Sequence, residues 1–147
     1  MVRIAPVLPE DRADWLELWA GYLTFYETVL KEAITELTFE RLLDPNSGIH
    51  GAIARDDAGA AIGFVHWLFH PASWSRTGYC YLEDLFVAPG SRGSGAGRAL
   101  IAHVREEAAT QGAAKVYWLT EESNSTARAL YDRVAVRSGF IHYEIDL

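Results

Sequence analysis

The sequence predicts one mixed α/β domain over residues 1–147, with a mostly antiparallel central sheet that contains a parallel strand pair and is flanked by helices. Three observations support this prediction. Short apolar segments typical of strands alternate with longer segments whose apolar residues recur at helical spacing. Residues 79–104 predict a strand, a glycine-rich loop and a helix, and the further strand expected after them requires a parallel, right-handed crossover. With 147 residues, half of them hydrophobic, the chain has the length of one domain.

The first 48 residues predict one strand and two helices. Residues 2–7 form the strand, which prolines end, and the acidic residues that follow suit the first turn of a helix. Along this helix the apolar side chains fall on one broad face: Trp15, Leu18, Trp19, Tyr22, Phe25, Tyr26 and Val29. Thr38 is expected to cap a second, short helix over residues 39–43, which a D-P-N-S-G turn ends.

Three strands are predicted in the middle of the chain. Residues 49–55 and 61–69 have strand patterns and are separated by a D-D-A-G hairpin turn. Residues 79–87 predict a central strand, because both of its faces are apolar except at Glu83 and Asp84.

The remaining residues predict two helices, each followed by a strand. The first helix begins at Gly97 and ends at Gly112, a left-handed cap, before a strand over residues 115–120. Any of the residues 123–125 can cap the second helix, which Gly139 is expected to end. The alternating residues 140–147 predict a closing strand.

Composition narrows the classes of function. The net charge of −7 argues against a nucleic-acid partner, because phosphate backbones require basic surfaces, and it suits a cationic substrate better. Cys80 is the only cysteine, which excludes an intramolecular disulfide and suits a reducing compartment. No apolar run has the length of a signal peptide or a membrane span, so we expect a cytoplasmic protein without a membrane partner. The five histidines form no metal-ligand pattern, and no metal is expected.

The glycine-rich loop carries the strongest chemical signal. Residues 92–97 have the sequence R-G-S-G-A-G, in which three glycines let the backbone approach a ligand and turn its N–H groups towards an anion. The predicted helix adds its positive end, so the loop suits a phosphate or pyrophosphate. A turn that merely needs positive φ would require fewer glycines. The loop lacks the G-K-[ST] ending of a P-loop and the spacing and acidic residue of a dinucleotide site.

Two segments together resemble a known family. L-E-D-L-F-V-A-P-G-S-R-G-S-G-A-G at 82–97, with N-S-T-A-R-A-L-Y-D-R-V-A-V-R-S-G-F-I-H-Y-E at 124–144, is similar to the GNAT superfamily of acetyl-CoA-dependent N-acetyltransferases. The pattern most resembles the branch of polyamine, thialysine and small histone-type acetyltransferases. The resemblance covers the chain from residue 61 onward, whereas the first 60 residues match only in architecture. It implies the GNAT fold and acetyl transfer to a primary amine.

The resemblance also implies an acetyl-CoA site. In such enzymes the strand before the loop diverges from its parallel neighbour, so backbone groups of Leu85, Phe86 and Val87 would pair with the pantetheine arm like an added strand. Asn124 would contact the cosubstrate through its amide, with Ala127 on the helix face towards the cleft. The backbone N–H groups that would hold the pyrophosphate belong to Arg92, Gly93, Ser94, Gly95, Ala96, Gly97 and Arg98.

Glu83 is the candidate general base. An amine with a pKa of about 10.4 arrives protonated, and a carboxylate near the thioester can attract the ammonium and accept its proton, directly or through water. Asp84 should point to the opposite face of a regular strand, so only one of the two can face the substrate unless a bulge intervenes. Asp84 is then a support or a substrate anchor. In the alternative interpretation both carboxylates only make structural hydrogen bonds.

Tyr131 is the candidate general acid. A phenol with a pKa of about 10 stays protonated at neutral pH and can donate its proton to the departing thiolate. Four residues separate Tyr131 from Ala127, which places both on one helix face. Outside the family pattern, a tyrosine here would be a core aromatic.

The acceptor pocket is the least determined part of the prediction. Tyr22 and Tyr26 can line it, with Glu27 attracting a cationic group, although an aromatic stripe at helical spacing also suits a core. Polyamines, amino acids, antibiotic amines and protein lysines all remain open as acceptors. The other functional classes are a non-catalytic acyl-CoA-binding module and an interaction domain. Homodimerisation is expected from the resemblance, and residues 140–147 offer an edge strand for it.

Overall fold

A computed structural model describes all 147 residues of the chain. Its strands are β1 (Arg3–Pro6), β2 (Ile49–Arg55), β3 (Ala61–His70), β4 (Tyr79–Val87) and β5 (Val116–Tyr117). Its helices are α1 (Arg12–Phe25), α2 (Glu32–Leu43), α3 (Ala96–Thr110) and α4 (Ser125–Val134), with 3-10 turns at Pro9–Asp11 and Pro89–Ser91. None of the helices is long and apolar enough to cross a membrane.

The five strands form one sheet in the order β1-β2-β3-β4-β5. Neighbouring strands are antiparallel from β1 to β4, and β5 pairs with β4 in parallel. This parallel contact covers only two residue pairs, Cys80 with Val116 and Tyr81 with Tyr117. The predicted mixed sheet with one parallel pair is therefore confirmed, and its parallel strands separate soon after they meet.

Helices cover both faces of the sheet. One apolar cluster joins the sheet to α3, and a second joins it to α1 and α2. Each large side chain buried in these layers contributes roughly 1.5–3 kcal/mol to folding. The α3-side cluster includes Val65, Trp67, Leu82, Leu100 and Val104. The α1-side cluster includes Trp15, Leu18, Trp19, Phe39, Phe64 and Phe86.

The N-terminal half departs from prediction at two helix ends. Helix α2 begins at Glu32, and Thr38 lies inside it, where its hydroxyl donates to the Ile34 carbonyl at 2.8 Å instead of capping the helix. Helix α1 ends before Glu27, whose φ of 51° is left-handed. The N–H groups of Glu27 and Thr28 return to carbonyls of the last turn at 3.0 and 2.9 Å, a termination in which glycine is the usual residue.

The predicted closing strand is absent from the sheet. Helix α4 ends at Val134 and not at Gly139, and residues 136–147 contain no helix, strand or turn. The strand predicted over residues 115–120 is likewise reduced to the two residues of β5. Both differences have the same physical reason. A strand exists only where a neighbouring strand pairs with its backbone, and neither residues 115–120 nor residues 140–147 have such a neighbour over their predicted length.

Candidate active site

A bulge in β4 places the two adjacent carboxylates. Asp84 pairs with His66 of β3 and Leu82 pairs with Trp67, which leaves Glu83 without an opposite residue. On a regular strand Leu82 and Phe86 would point to the same face of the sheet. The one unpaired residue between them reverses the alternation, so Leu82 packs on the α3 side while Phe86 packs on the α1 side. The alternation expected of a regular strand does not hold here, and the alternative of a bulge is the observed one.

Asp84 is held by a chain of hydrogen bonds that begins in the core. Trp15 Nε1 donates to His66 Nε2 at 3.1 Å, and His66 Nδ1 lies 2.9 Å from Asp84 Oδ2. Because an indole can only donate, Nε2 must accept, so the proton of a neutral imidazole sits on Nδ1 and is donated to Asp84. Tyr22 donates its hydroxyl to the other oxygen, Oδ1, at 2.6 Å. Both oxygens of Asp84 are thus engaged within the protein.

Glu83, in contrast, has a free carboxylate. It forms no hydrogen bond or ion pair within the chain, and the residue as a whole is exposed. Atoms packed around its carboxyl group nevertheless exclude part of the solvent. This burial, and secondly the charge of Asp84, raises the pKa of Glu83 above its ordinary value. Of the two carboxylates, Glu83 is the one available to a substrate.

Three tyrosines of this region, Tyr22, Tyr26 and Tyr131, have phenols that stay protonated. Burial and then the charge of Asp84 raise the pKa of Tyr22, and burial, then Glu121 and Asp84, raise that of Tyr26. Burial raises the pKa of Tyr131 to about 12, with a smaller contribution from Tyr26. The Tyr131 ring packs edge-on against Trp118 with centroids 5.4 Å apart, and its hydroxyl makes no hydrogen bond within the chain.

A cavity of about 250 Å³ lies between the end of α1 and the start of α4. Its lining residues are Phe25, Tyr26, Glu121, Ser123, Asn124, Ser125 and Thr126. Drug-sized ligands occupy pockets from about 300 Å³ upward, so this cavity suits a small molecule or one end of a longer one. Glu27 is not among the lining residues, and its side chain is exposed just beyond the helix.

The glycine-rich loop leaves open space above its backbone. Gly93 and Gly95 have φ of 82° and 87°, and a Cβ atom at either position would meet nothing within 4 Å. Their N–H groups have no acceptor within the chain, and Gly95 begins α3 without a side-chain cap. Positive φ and free donors together make this loop able to hold an anion. Gly97 has a different role, because a Cβ there would lie 3.1 Å from Leu130 of α4.

The edge of β4 that faces β5 is open beside this loop. Leu85, Phe86 and Val87 pair with β3 on one side and have no strand on the other. An extended chain can therefore bind along this edge through backbone hydrogen bonds. Arg92 connects the loop to α1, since its Nε donates to the Val87 carbonyl at 3.4 Å and its guanidinium lies 5.4 Å from the centre of the Phe25 ring.

Asn124 has a structural role that leaves part of its side chain free. It caps α4, accepting the Ala127 N–H through Oδ1 at 3.4 Å. Its amide nitrogen makes no hydrogen bond within the chain and can reach a ligand. Cys80 is fully buried, and burial raises its pKa to about 11, so it is unsuited to act as a nucleophile.

Sequence patterns did not identify three residues of this region. The sequence pattern predicts only a core position for Trp15, and it predicts no role in a site for His66 or Glu121. A histidine within an apolar central strand must find buried hydrogen-bond partners, and this requirement was the available signal for His66. No group of three or more histidine, cysteine, aspartate or glutamate side chains is positioned to hold a metal ion.

Comparisons with known proteins agree with this geometry. The model of the acetyltransferase (GNAT) family matches residues 12–135. A curated relative, the D-amino-acid N-acetyltransferase HPA3 of Saccharomyces cerevisiae, is 37% identical over 142 residues, which cover 96% of this chain and 88% of the yeast protein.

Two solved structures share the fold over essentially the whole chain. Ribosomal-protein-alanine N-acetyltransferase from Brucella melitensis biovar Abortus 2308 has a TM-score of 0.84 at 22% identity, covering 100% of both chains. AAC(6')-Iy, in complex with the bisubstrate analogue CoA-S-monomethyl-acetylneamine, has a TM-score of 0.85 at 18% identity and covers 100% of this chain and 99% of its own.

Proposed function

Because this chain belongs to the acetyltransferase (GNAT) family of N-acetyltransferases, we propose that it transfers an acetyl group from acetyl-CoA directly to the primary amine of a small, cationic acceptor. The main observation behind this proposal is the free carboxylate of Glu83, which is the unpaired residue of the β4 bulge at the point where β4 separates from β5. Members of the family use acetyl-CoA, and AAC(6')-Iy is known in complex with a CoA-containing analogue.

Acetyl-CoA supplies the activated acetyl thioester. The open space above Gly93 and Gly95 and the free N–H groups of these two residues fit its pyrophosphate. Residues 92–98 would bind it, but not through every N–H group, because those of Arg92 and Ser94 donate to the carbonyls of Pro89 and Ser91 at 3.4 and 3.2 Å. The free edge of β4 at Leu85, Phe86 and Val87 fits the pantetheine arm. The amide nitrogen of Asn124, beside Ala127 at the start of α4, would complete the site.

Glu83 and Tyr131 are the proposed catalytic residues. Glu83 accepts a proton from the ammonium, directly or through a water molecule, and its raised pKa makes it a stronger base than an ordinary glutamate. The neutral amine then forms the new C–N bond as the C–S bond breaks. Tyr131, protonated at any physiological pH, gives its hydroxyl proton to the departing sulfur. The second proton, which the nitrogen loses as the amide forms, restores the Tyr131 phenol, and Glu83 releases the first proton to solvent.

Acidic and aromatic groups favour a cationic acceptor. Four such groups lie near one another: Tyr22 donates to Asp84, the rings of Tyr22 and Tyr26 are 5.0 Å apart, and Tyr26 and Glu121 line the same cavity. Asp84, whose two oxygens are occupied by His66 and Tyr22, is the proposed support, and it orients Tyr22 towards the acceptor. A role for Glu27 would require a long acceptor that extends past the end of α1.

The acceptor class includes free amino acids as well as polyamines. The yeast relative is named a D-amino-acid N-acetyltransferase, and a small α-amino acid is compatible with a cavity of about 250 Å³. A protein lysine is the second candidate, since its ammonium requires the same chemistry. We also propose that the chain belongs to the branch of polyamine, thialysine and small histone-type acetyltransferases, as the sequence resemblance implies.

An acceptor screen tests the proposed function. The purified chain and acetyl-CoA are incubated with D- and L-amino acids, spermidine, an aminoglycoside and a lysine-containing peptide, and acetylated products are detected by mass spectrometry. We expect a small amine to gain one acetyl group, and the Glu83→Gln variant to lose most of that activity. If acetyl-CoA binds in calorimetry but no amine is acetylated, the chain is the non-catalytic acyl-CoA-binding module instead.

The remaining predictions concern the molecule as a whole. We infer that residues 1–147 act as one N-acetyltransferase domain. The single, buried cysteine fits the reducing cytoplasm. No partner other than the substrates is required for the chemistry, and a homodimer, which the sequence resemblance implies, remains part of the proposal.

A further inference from the structure

The part of β4 that precedes the bulge carries aromatic side chains on one face of the sheet. Cys80 and Leu82 belong to the α3-side cluster. Because successive side chains of a strand alternate, Tyr79, Tyr81 and Glu83 lie on the opposite face, towards α1. The proposed base therefore shares a face with two tyrosines that precede it on the same strand.

Two residues of the neighbouring strands extend this aromatic surface. Tyr117 of β5 pairs with Tyr81 across the parallel contact, and their ring centres are 4.9 Å apart. His70, the last residue of β3, pairs with Tyr79, and the rings of this pair meet edge-on at 5.7 Å. Such distances are typical of aromatic side chains in contact. We call these four side chains the tyrosine face: His70, Tyr79, Tyr81 and Tyr117.

Hydrogen bonds hold one end of the tyrosine face in place. His70 Nδ1 lies 2.7 Å from the Pro71 carbonyl, which can only accept, so this nitrogen carries a proton. In the neutral ring Nε2 then accepts the hydroxyl proton of Tyr117 at 2.7 Å. The hydroxyls of Tyr79 and Tyr81 make no hydrogen bond within the chain and are free for a ligand. An aromatic surface that is already ordered costs a ligand little further ordering.

The helices on this side of the sheet leave the tyrosine face uncovered. The cluster in which α1 and α2 pack on the sheet contains none of the three tyrosines. All four members of the tyrosine face are only partly buried. Aromatic side chains that are both fixed and accessible offer a ligand a large contact area at low entropic cost. The tyrosine face therefore has the properties of a binding surface.

The position of Glu83 limits what this surface can bind. Two residues separate Tyr81 from Glu83, which is roughly 7 Å along a strand. An acceptor whose amine lies at Glu83 can therefore place a nearby substituent on Tyr81. In phenylalanine and phenethylamine, two carbon atoms join the nitrogen to the ring, and this length suits the separation.

The charges around the tyrosine face favour an uncharged substituent. Lys115 holds its ammonium group over the Tyr79 ring, 4.2 Å from the ring centre. A second ammonium group, such as a polyamine carries, would be repelled at this end. The carboxylate of Glu83 lies at the other end, where the reacting ammonium belongs. An acceptor with one ammonium group and a flat apolar substituent matches both ends.

We propose that the tyrosine face is the subsite for an aromatic group of the acceptor, so that the preferred acceptors are aromatic amino acids and arylethylamines. The ring of the acceptor packs against Tyr81 and Tyr117, and the free phenol hydroxyls can bond a polar ring substituent. This inference rests on the proposed function, since it requires the amine at Glu83. A chain that acetylates other amines equally well would keep the proposed function and lose this inference.

Matched acceptors test the subsite in the unsubstituted protein. D- and L-phenylalanine are compared with D- and L-alanine, and phenethylamine with ethylamine and spermidine, at saturating acetyl-CoA. We expect kcat/KM to be at least tenfold higher for phenethylamine than for ethylamine, and for one enantiomer of phenylalanine than for the same enantiomer of alanine. In calorimetry with the CoA-saturated protein, phenethylamine should bind at least tenfold more tightly than ethylamine. Equal values within the pairs, or the highest kcat/KM for spermidine, would overturn the proposal.

Substitution of Tyr81 tests which side chain recognises the ring. Tyr81→Ala should lower the phenylalanine-to-alanine ratio of kcat/KM at least fivefold, whereas the matched variant Tyr81→Phe, which keeps the ring, should retain the ratio. Melting temperatures establish that the variants are folded, and Tyr117→Leu replaces Tyr81→Ala if the latter does not fold. An unchanged ratio would overturn the proposal. An equal loss of kcat/KM for both amino acids would overturn it as well, because Tyr81 would then act on the amine and not on the ring.

Discussion

Replacing Trp15 with phenylalanine tests the hydrogen-bond chain that holds Asp84. The substitution removes the indole donor 3.1 Å from His66 Nε2, in a position where both side chains are fully buried. A buried acceptor left without its donor costs about 1–3 kcal/mol. For a chain of this length, each kcal/mol lowers the melting temperature by roughly 2–4 °C. Trp19→Phe is the matched control, because it removes the same volume and a bond to Thr35 that is only partly buried.

A double-mutant cycle with His66→Phe separates this bond from the loss of volume. Each single substitution breaks the bond between Trp15 and His66, whereas the double variant breaks it only once. The double variant should therefore be less destabilised than the sum of the two by about 1 kcal/mol or more, within the usual range for residues of one network. Urea denaturation measures all four free energies of unfolding. A coupling near zero would show that the chain from Trp15 to Asp84 does not act as a unit.

Four further predictions concern the proposed catalytic and binding residues. Tyr131→Phe should lower kcat by about 10²–10⁴-fold and leave acetyl-CoA affinity unchanged, and unchanged turnover would show that Tyr131 is not the acid. In the unsubstituted protein the rate should not fall up to pH 10, because the pKa of Tyr131 is about 12. Glu83→Gln should abolish most turnover yet stabilise the fold by about 0.5 kcal/mol or less at pH 7, the modest effect of an exposed site. Because the folded-state pKa of Glu83 is raised, its carboxylate destabilises the fold only when it is ionised. The extra stability of Glu83→Gln should therefore vanish in acid, and extra stability that persists at pH 3 would contradict this explanation. Gly95→Glu should weaken acetyl-CoA binding in calorimetry at least a hundredfold, because the introduced glutamate side chain fills the anion site. The control is Gly90→Glu on the same loop, where φ is not positive, and this variant should bind acetyl-CoA normally. Glu27→Gly should raise the free energy of unfolding by about 1 kcal/mol by relieving left-handed strain, and a simultaneous rise in acceptor KM would assign Glu27 to the substrate site.

Local sequence signals determined most of the central architecture. The strands at Ile49–Arg55 and Tyr79–Val87 have the predicted bounds, because each is a mostly apolar segment between residues that favour turns. The helix after the glycine loop begins one residue before Gly97, and Gly112 has the positive φ expected of a cap. These features depend on backbone preferences of a few neighbouring residues, which a single sequence displays directly.

Features that depend on distant partners were not predictable in the same way. The bulge at Glu83 follows from how β4 aligns with β3, and the pattern of β4 alone predicts regular alternation. The two hydrogen-bond partners of His66 are distant in sequence, since Trp15 lies on α1 and Asp84 on the neighbouring strand β4. The C-terminal residues show the limit most clearly, because the alternating pattern of residues 140–147 predicts a strand and the structure has none there, for want of a neighbouring strand.

The bulge also explains how two adjacent carboxylates can have different tasks. On a regular strand one of them would point away from the cleft and add nothing to it. Here Asp84 turns towards α1, where His66 and Tyr22 occupy both of its oxygens, and it remains close enough to raise the pKa of Glu83. Burial first, and then the negative charge of Asp84, thus increase the basicity of the free carboxylate of Glu83.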